Sequence, residues 1–406
     1  MQRLFLLLLT LFALYACASS VPHSPVEKQP LPGQSIFDET QPVLPEFELP
    51  ALGAASEVPE MLLPPSEGAP YPHIALLLPL RSVIFGNPAN AVQQGFMAAA
   101  NLNRRGLPVR AYGDYDENTS VVAVYRQAIA NGALAVVGPL TRNGVAALAA
   151  ERNIPIPTLA LNLALNLAEG EVAQQLYFFG MAAESEARQI ALLAKKQGLR
   201  QSIVIATRAQ LSQRLQFAFE EEWHNSGGMI LREIEFNDDP SILADITDTP
   251  DTMVFLATNA EKSRLIRPYL SNKMPVYSTS QIFVGNDKNL TNYDLNGIRF
   301  VDMPWLLQPD HTAVMIYPRA IPPLPADRER LYALGIDAYR LIQLMLTNRV
   351  DTSLPLDGVS GYIRLNGHVF TREPILAIFQ QGQAQLSDGY SQIVPEAFPA
   401  KIITVP

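Results

Sequence analysis

The stretch "GPLTRN", residues 138–143, sets a threonine, an arginine and an asparagine where an apolar strand gives way to a helix. Backbone amides left open in a first helical turn, with the positive end of the helix dipole behind them, favour a carboxylate or phosphate. Thr141, Arg142 and Asn143 are therefore candidates to hold a small anion, and read locally the same three residues are a helix cap. Other constellations fall short of a chemistry. "GVSGY" at residues 358–362 lacks the glycine spacing of a nucleophile elbow, and neither GxGxxG nor GxxxxGK[ST] occurs. "DKNLTNYDLNG", from Asp287, opens like a calcium loop but carries Ile298 where the bidentate glutamate belongs. His224, His311 and His368 are far apart, and one cysteine gives no zinc spacing. "EEEW" at residues 220–223 reads as a solvated helix face and "NDD" at 237–239 as a turn and cap. No acid, base and nucleophile set follows from spacing, so no catalytic residue, metal or cofactor is expected.

Bulk properties narrow the field further. A chain of 406 residues that is 48% hydrophobic can build more than one buried core. The formal charge is -9 and the 30 Lys and Arg are dispersed, so no basic stripe for nucleic acid is present. The single cysteine, Cys17, stands behind Arg3 and the apolar run of residues 4–16. That run is too short to span a bilayer core, which needs roughly 20 residues, and has the build of a signal peptide. "LYAC" followed by Ala18 and Ser19 resembles a bacterial lipobox, in which the cysteine is acylated and becomes the first mature residue; the plainer alternative is an ordinary cleaved signal. In the lipobox scheme Cys17 carries the lipid that anchors the chain, and the absence of an aspartate after it points to the outer membrane.

Residues 21–72 hold twelve prolines, eight Asp or Glu and one lysine, with no apolar period. Such a stretch buries too little to offset its chain entropy and reads as an extended tether. Its reach runs from about 40 Å as a coil to roughly 160 Å as polyproline helix. Ordered structure is expected from "HIALLLPL", residues 73–80, a strand apolar on both faces. Strand and helix then alternate with short Gly or Pro joints: a helix introduced by Asn87 and Pro88, strands at "LPVRAYGDY", "ALAVVGPL" and "IPTLALN", and helices over 120–131 and 143–152. Right-handed crossovers make this a parallel sheet covered by helices. A second α/β set follows, with helices over 210–226 and 260–270 and strands at "SIVIATR", "MILREIEF", "TMVFLATN" and "MPVYSTS". Residues 328–347 form a long helix, and "NG" at Asn366 and Gly367 marks a hairpin.

The expected fold is thus α/β and two-lobed. Residues 73–182 with part of 281–350 make the first lobe; residues 183–280 with part of 346–406 make the second, behind a signal peptide (1–16) and a lipidated tether (17–72). Ligands of open α/β sheets sit at the carboxyl ends of the strands. Ser82 and Phe85 after the first strand, Thr141, Arg142 and Asn143 after the third, Asn162 after the fourth, and Tyr277 in the second lobe are the candidates for that cleft; the aromatics serve equally well as core. The proline-rich excursion 304–325 is either a partner contact or a loop packed over the lobe edge.

"IALLLPLRSVIFGNPANAVQQGFMAAAN" and "GALAVVGPLTRNGVAALAAERNIPIPTLALN" resemble the opening of type I periplasmic binding proteins. With "FFGMAAESEARQIA", "FEEEWHNSGG", "YSTSQIF", "LNGIRFVDMPWLL" and "RLYALGIDAYRL", residues 72–383 resemble more closely the LppC family of outer-membrane lipoproteins. The resemblance implies a two-lobed domain adapted to protein contact, not an enzyme. It implies a protein that binds and activates a bifunctional penicillin-binding protein building peptidoglycan, from the outer membrane and facing the periplasm. The best understood members carry a helical repeat domain ahead of this one, where this chain shows only the tether. A lipid-anchored solute receptor for a small anionic or amino-acid-like ligand is the alternative.

Overall fold

Strand β1 (His73–Leu77) is buried along its whole length, because its two faces feed two cores. Ile74 and Leu76 pack beneath α1 (Gly86–Leu102) and α10 (Ala326–Leu346), while Ala75 and Leu77 face α2 (Val121–Ala130) and α3 (Arg142–Ala149). This explains the continuous apolar run of the sequence. The computed structural model describes residues 70–113, 115, 120–163, 172–286 and 289–387. The expected signal peptide, Cys17, the tether to residue 69 and Asp287 of the calcium-like loop lie outside the described residues.

The first sheet has eight strands in the order β11-β12-β13-β5-β4-β3-β1-β2. β1, β2 (Val109–Tyr112), β3 (Ala133–Val137), β4 (Thr158–Ala160) and β5 (Leu176–Phe179) pair in parallel. β13 (Val369–Glu373) joins β5 in parallel, and β12 (Tyr362–Asn366) and β11 (Leu356–Asp357) add antiparallel edges. The second sheet has seven strands in the order β15-β14-β10-β9-β8-β6-β7. Parallel pairing links β6 (Gln201–Ala206), β7 (Met229–Glu235), β8 (Thr252–Ala257), β9 (Val276–Ser278) and β10 (Ile298–Asp302). β14 (Ile375–Gln380) and β15 (Gln383–Leu386) close it antiparallel. Helices α4 (Ala183–Lys196) and α5 (Gln210–Asn225) cover one face, where Phe219 stacks on Phe255 at 4.1 Å. The other face carries α6 (Ala260–Ile266) and a Phe283, Phe300 and Phe379 cluster. One-turn helices α7 (Asn289–Asn292), α8 (Pro304–Leu307), α9 (Thr312–Met315) and α11 (Val350–Ser353) sit in the connections.

The chain crosses between lobes after β5, after β10 and between β13 and β14. The "NG" hairpin therefore belongs to the first sheet, with a two-residue loop at Gly367 and His368, and the hairpin that follows it belongs to the second. Helix α1 begins at Gly86, with Phe85 as N-cap instead of the expected Asn87. The Ser82 hydroxyl accepts from the amides of Ile84 and Phe85 at 3.2 and 2.8 Å, so the turn ahead of the helix is closed locally. The α1 and α10 backbones touch: a Cβ at Gly95 would lie 1.8 Å from the Tyr332 carbonyl, and one at Gly335 would lie 2.1 Å from that of Val92. Only glycine fits at either place.

His73, the first residue of β1, is fully buried, with Nδ1 on the Tyr71 carbonyl at 2.8 Å and Nε2 on the Tyr112 hydroxyl at 3.1 Å. Burial lowers its pKa below the ordinary 6.5, with Arg110 acting in the same direction. As pH falls below about 6.5 the unfolded chain takes up a proton that the folded chain still refuses, so stability present above that value is lost down to the folded pKa. The urea midpoint is expected to fall between pH 7.5 and pH 5.5, and His73→Gln to flatten that dependence; an equally steep profile in the variant would assign the effect elsewhere.

Candidate functional site

The carboxyl ends of the first-sheet strands carry all but one of the seven cleft candidates. Ser82 is buried and spent on the turn before α1. Phe85 is half-buried as the N-cap of that helix. Thr141 caps α3, its hydroxyl accepting from the Gly144 amide at 3.2 Å, while Arg142 and Asn143 are exposed in the first turn. Asn162 donates to the Leu140 carbonyl at 3.0 Å and accepts from the Leu163 amide at 2.9 Å, tying the loop after β4 to the loop after β3. Gly138 sits between them at φ 105°, where a Cβ would collide with the Leu77 carbonyl. Tyr277 does not join this group. Its ring is fully buried in the α4/α5 core of the second lobe, its hydroxyl donates to Gln197, and Arg299 lies over it at 5.6 Å.

Arg142, the one candidate with a charge, faces the second lobe. Its Nη2 lies 3.5 Å from Glu184 in the first turn of α4, and the same carboxylate oxygen lies 2.8 Å from Arg214 Nε of α5. The protein thus supplies its own carboxylate to the cation beside the α3 N-terminus.

Deeper between the lobes two further arginines of the first lobe end in the second. Arg330 of α10 pairs with Asp302 at the end of β10 through Nε at 3.0 Å and Nη2 at 2.6 Å. Its Nη2 also donates to the carbonyls of Ser280 and Phe283 at 2.9 and 2.8 Å, and its Nη1 to Asp327 at 2.7 Å. Burial opposes the charge of Arg330, but Asp302 outweighs it and holds the pKa above the ordinary arginine value. Arg372 of β13 donates to Glu186 of α4 at 3.0 Å, and the other oxygen of Glu186 accepts from the Ser280 amide at 3.0 Å. Both oxygens of each carboxylate are used, the geometry a buried pair needs.

These groups were invisible in the sequence. Glu184 and Glu186 show only as acids in a first helical turn, and their cations lie 30 and 186 residues away in Arg214 and Arg372. The excursion 304–325 is pinned on its inner side. Trp305 donates its Nε1 to Glu329 at 2.5 Å, Arg319 stacks 3.7 Å above the Trp305 ring, and Tyr332 donates to the Pro318 carbonyl at 2.8 Å. Its outer side leaves Met315, Ile316 and Ile321 exposed. Among the described residues no group of three or more His, Cys, Asp or Glu is placed to hold a metal, and no helix is long and apolar enough to cross a membrane.

Two α/β lobes joined by three crossings, with a cleft at the strand ends, define the periplasmic binding protein-like class. The family model "LppC putative lipoprotein" matches residues 48–249 and 245–382, and the chain belongs to that family. A curated relative, "Penicillin-binding protein activator LpoA" of Photobacterium profundum, is 27% identical over 353 residues, covering 77% of this chain and 56% of its own length. The chain accordingly spans about half the length of the curated relatives it matches. The structure of the C-domain of LpoA from Haemophilus influenzae, described as "a regulator of PBP1A", superposes with a TM-score of 0.64 at 23% identity, covering 78% of this chain and 99% of that domain. A Chromobacterium violaceum structure described as "a putative branched-chain amino acid ABC transporter" gives 0.64 at 34% identity, covering 76% of this chain and all of that one.

Removing one partner of a buried pair strands the other charge, at a cost of about 3–5 kcal/mol. Asp302→Ala is expected to lose that much in urea unfolding, and Asp302→Leu with Arg330→Met to recover most of it. A loss under about 1 kcal/mol in Asp302→Ala would show that the pair does not hold the lobes.

Proposed function

We propose that the chain is an outer-membrane lipoprotein, anchored through lipid on Cys17, whose two-lobed domain binds and activates a bifunctional penicillin-binding protein from the periplasmic side. The observation that carries this reading is that the protein places its own ion pairs between the lobes. Glu184 takes the cations a ligand would use, and two buried arginine pairs oppose the opening a solute clamp requires. A surface fixed in this way can meet a protein partner with little backbone movement. The names of the curated relatives support the partner class, and a tether of some 50 residues, with a reach of about 40–160 Å, would carry the domain away from the membrane. The role is non-catalytic: the domain acts on the synthase and leaves the chemistry to it.

The solute-receptor reading draws on the Chromobacterium violaceum similarity. Capture with the full chain from envelope extract separates the two. Enrichment of a bifunctional penicillin-binding protein, and faster glycan polymerisation or crosslinking when the chain is added to that purified synthase, is expected; no enrichment and no stimulation, together with stabilisation by free amino acids, would favour the receptor. For the anchor, Cys17→Ala is expected to leave the outer-membrane fraction, and unchanged fractionation would refute lipidation at that residue.

A further inference from the structure

The loop "GVSG", residues 358–361 between β11 and β12, lacks a catalytic spacing, yet Val359 and Ser360 in it are fully buried. What holds the loop is Asp337 of α10, itself fully buried. One carboxylate oxygen accepts from the Val359 amide at 3.2 Å and from Arg340 at 3.0 Å; the other accepts from the Ser360 amide at 2.8 Å and the Ser360 hydroxyl at 2.7 Å. A Cβ at Gly358 would lie 2.7 Å from that second oxygen, so only glycine lets the loop close on it. The two inner carbonyls of the loop serve different parts of the molecule. That of Val359 accepts from the Trp305 amide at 2.9 Å, at the root of the excursion 304–325. That of Ser360 accepts from Arg372 Nη1 at 3.4 Å, and the same guanidinium reaches Glu186 across the lobes. Glu186 accepts from the Ser280 amide, the Ser280 carbonyl accepts from Arg330, and Arg330 pairs with Asp302, three residues before Trp305. The contacts close into a ring that starts and ends at residues 358–361. Hydrogen bonds linked in this way in a low-dielectric interior strengthen one another.

We infer that loop 358–361 is a coupling element: held by Asp337, it joins the two interlobe pairs and the anchor of the excursion into one cooperative unit. The partners of Asp337 (Arg340, Val359 and Ser360) all belong to the first lobe, so it acts on the interlobe angle as a positioning residue, by setting where Arg372 and Trp305 stand. The consequence is a link from the surface to the hinge. A load on the excursion that displaces Trp305 reaches Glu186 through the loop, and by reciprocity a change at the hinge reaches the excursion. The inference stands independently of the synthase partner.

A double-mutant cycle across the ring, read by urea unfolding of the full chain, measures the coupling. Asp337→Asn and Asp302→Asn each raise the unfolding constant, and the double variant is expected to fall short of the product of the two effects by at least about threefold, because the first substitution has already loosened what the second breaks. Ser212, which accepts from the Thr207 amide at 2.7 Å outside the ring, gives the comparison: Ser212→Ala with Asp302→Asn is expected to multiply within about twofold. If Asp337→Asn does not fold, Ser360→Ala, which removes only the hydroxyl bond, takes its place. Hydrogen exchange supplies a reading that lost stability alone would not produce. In either loop variant the Trp305 amide and the Ser280 amide, which donates to Glu186, are expected to exchange faster while the amides of α2 and α5 keep their rates. Multiplicative effects within the ring, faster exchange confined to residues 358–361, or a rise spread evenly over both lobes would overturn the inference. None of these results would touch the synthase reading, which is tested by capture and stimulation.

Discussion

The buried pair between Arg330 and Asp302 sets the relation of the two lobes. The guanidinium belongs to α10, which is locked to α1 by the Gly95 and Gly335 contacts, and so to the first lobe. Its acceptors, Asp302 and the carbonyls of Ser280 and Phe283, all belong to the second. A charge removed from water is tolerated only while its partners stay in place. Any hinge motion that separated α10 from the end of β10 would strand Arg330 among carbonyls and Asp302 without its counterion. The Arg372 and Glu186 pair imposes the same condition at another crossing. The interlobe angle is fixed by groups that tolerate little displacement.

On the proposed function, a familiar architecture is put to a different purpose. In a domain that captures solutes, lobes close on a ligand and the ligand supplies the interlobe contacts. Here Glu184, Glu186 and Asp302 supply them from within the chain. The outer surface includes the excursion 304–325, which is tied down by Trp305, Glu329, Arg319 and Tyr332 while presenting apolar side chains to solvent.

Much of the architecture was legible in the sequence because it is local. The run at β1, the start of α2 at Ser120 with its hydroxyl on the Ala123 amide, and α5 from Gln210 follow from patterns within a few residues. β10, residues 298–302, is as long as β1, but its place between β9 and β14 depends on pairing with distant strands and is not a local feature. The site was legible only where a loop ended a strand. Thr141 and Asn162 were found as strand-end residues, yet what they do depends on the neighbouring loop. Tyr277 looked the same as a cleft aromatic until its neighbours Val204, Phe255 and Trp223 enclosed it. The ion pairs escaped altogether, since acid and base are separated by up to 186 residues and meet only through the crossings.

The most direct measurement is the distance between spin labels placed on exposed positions of α2 and α6, one in each lobe of the full chain, by pulsed dipolar spectroscopy. The account predicts one narrow distribution that stays the same when free amino acids or short peptides are added. A broad or two-peaked distribution that narrows toward a shorter distance with such a solute would show a closing clamp and contradict it.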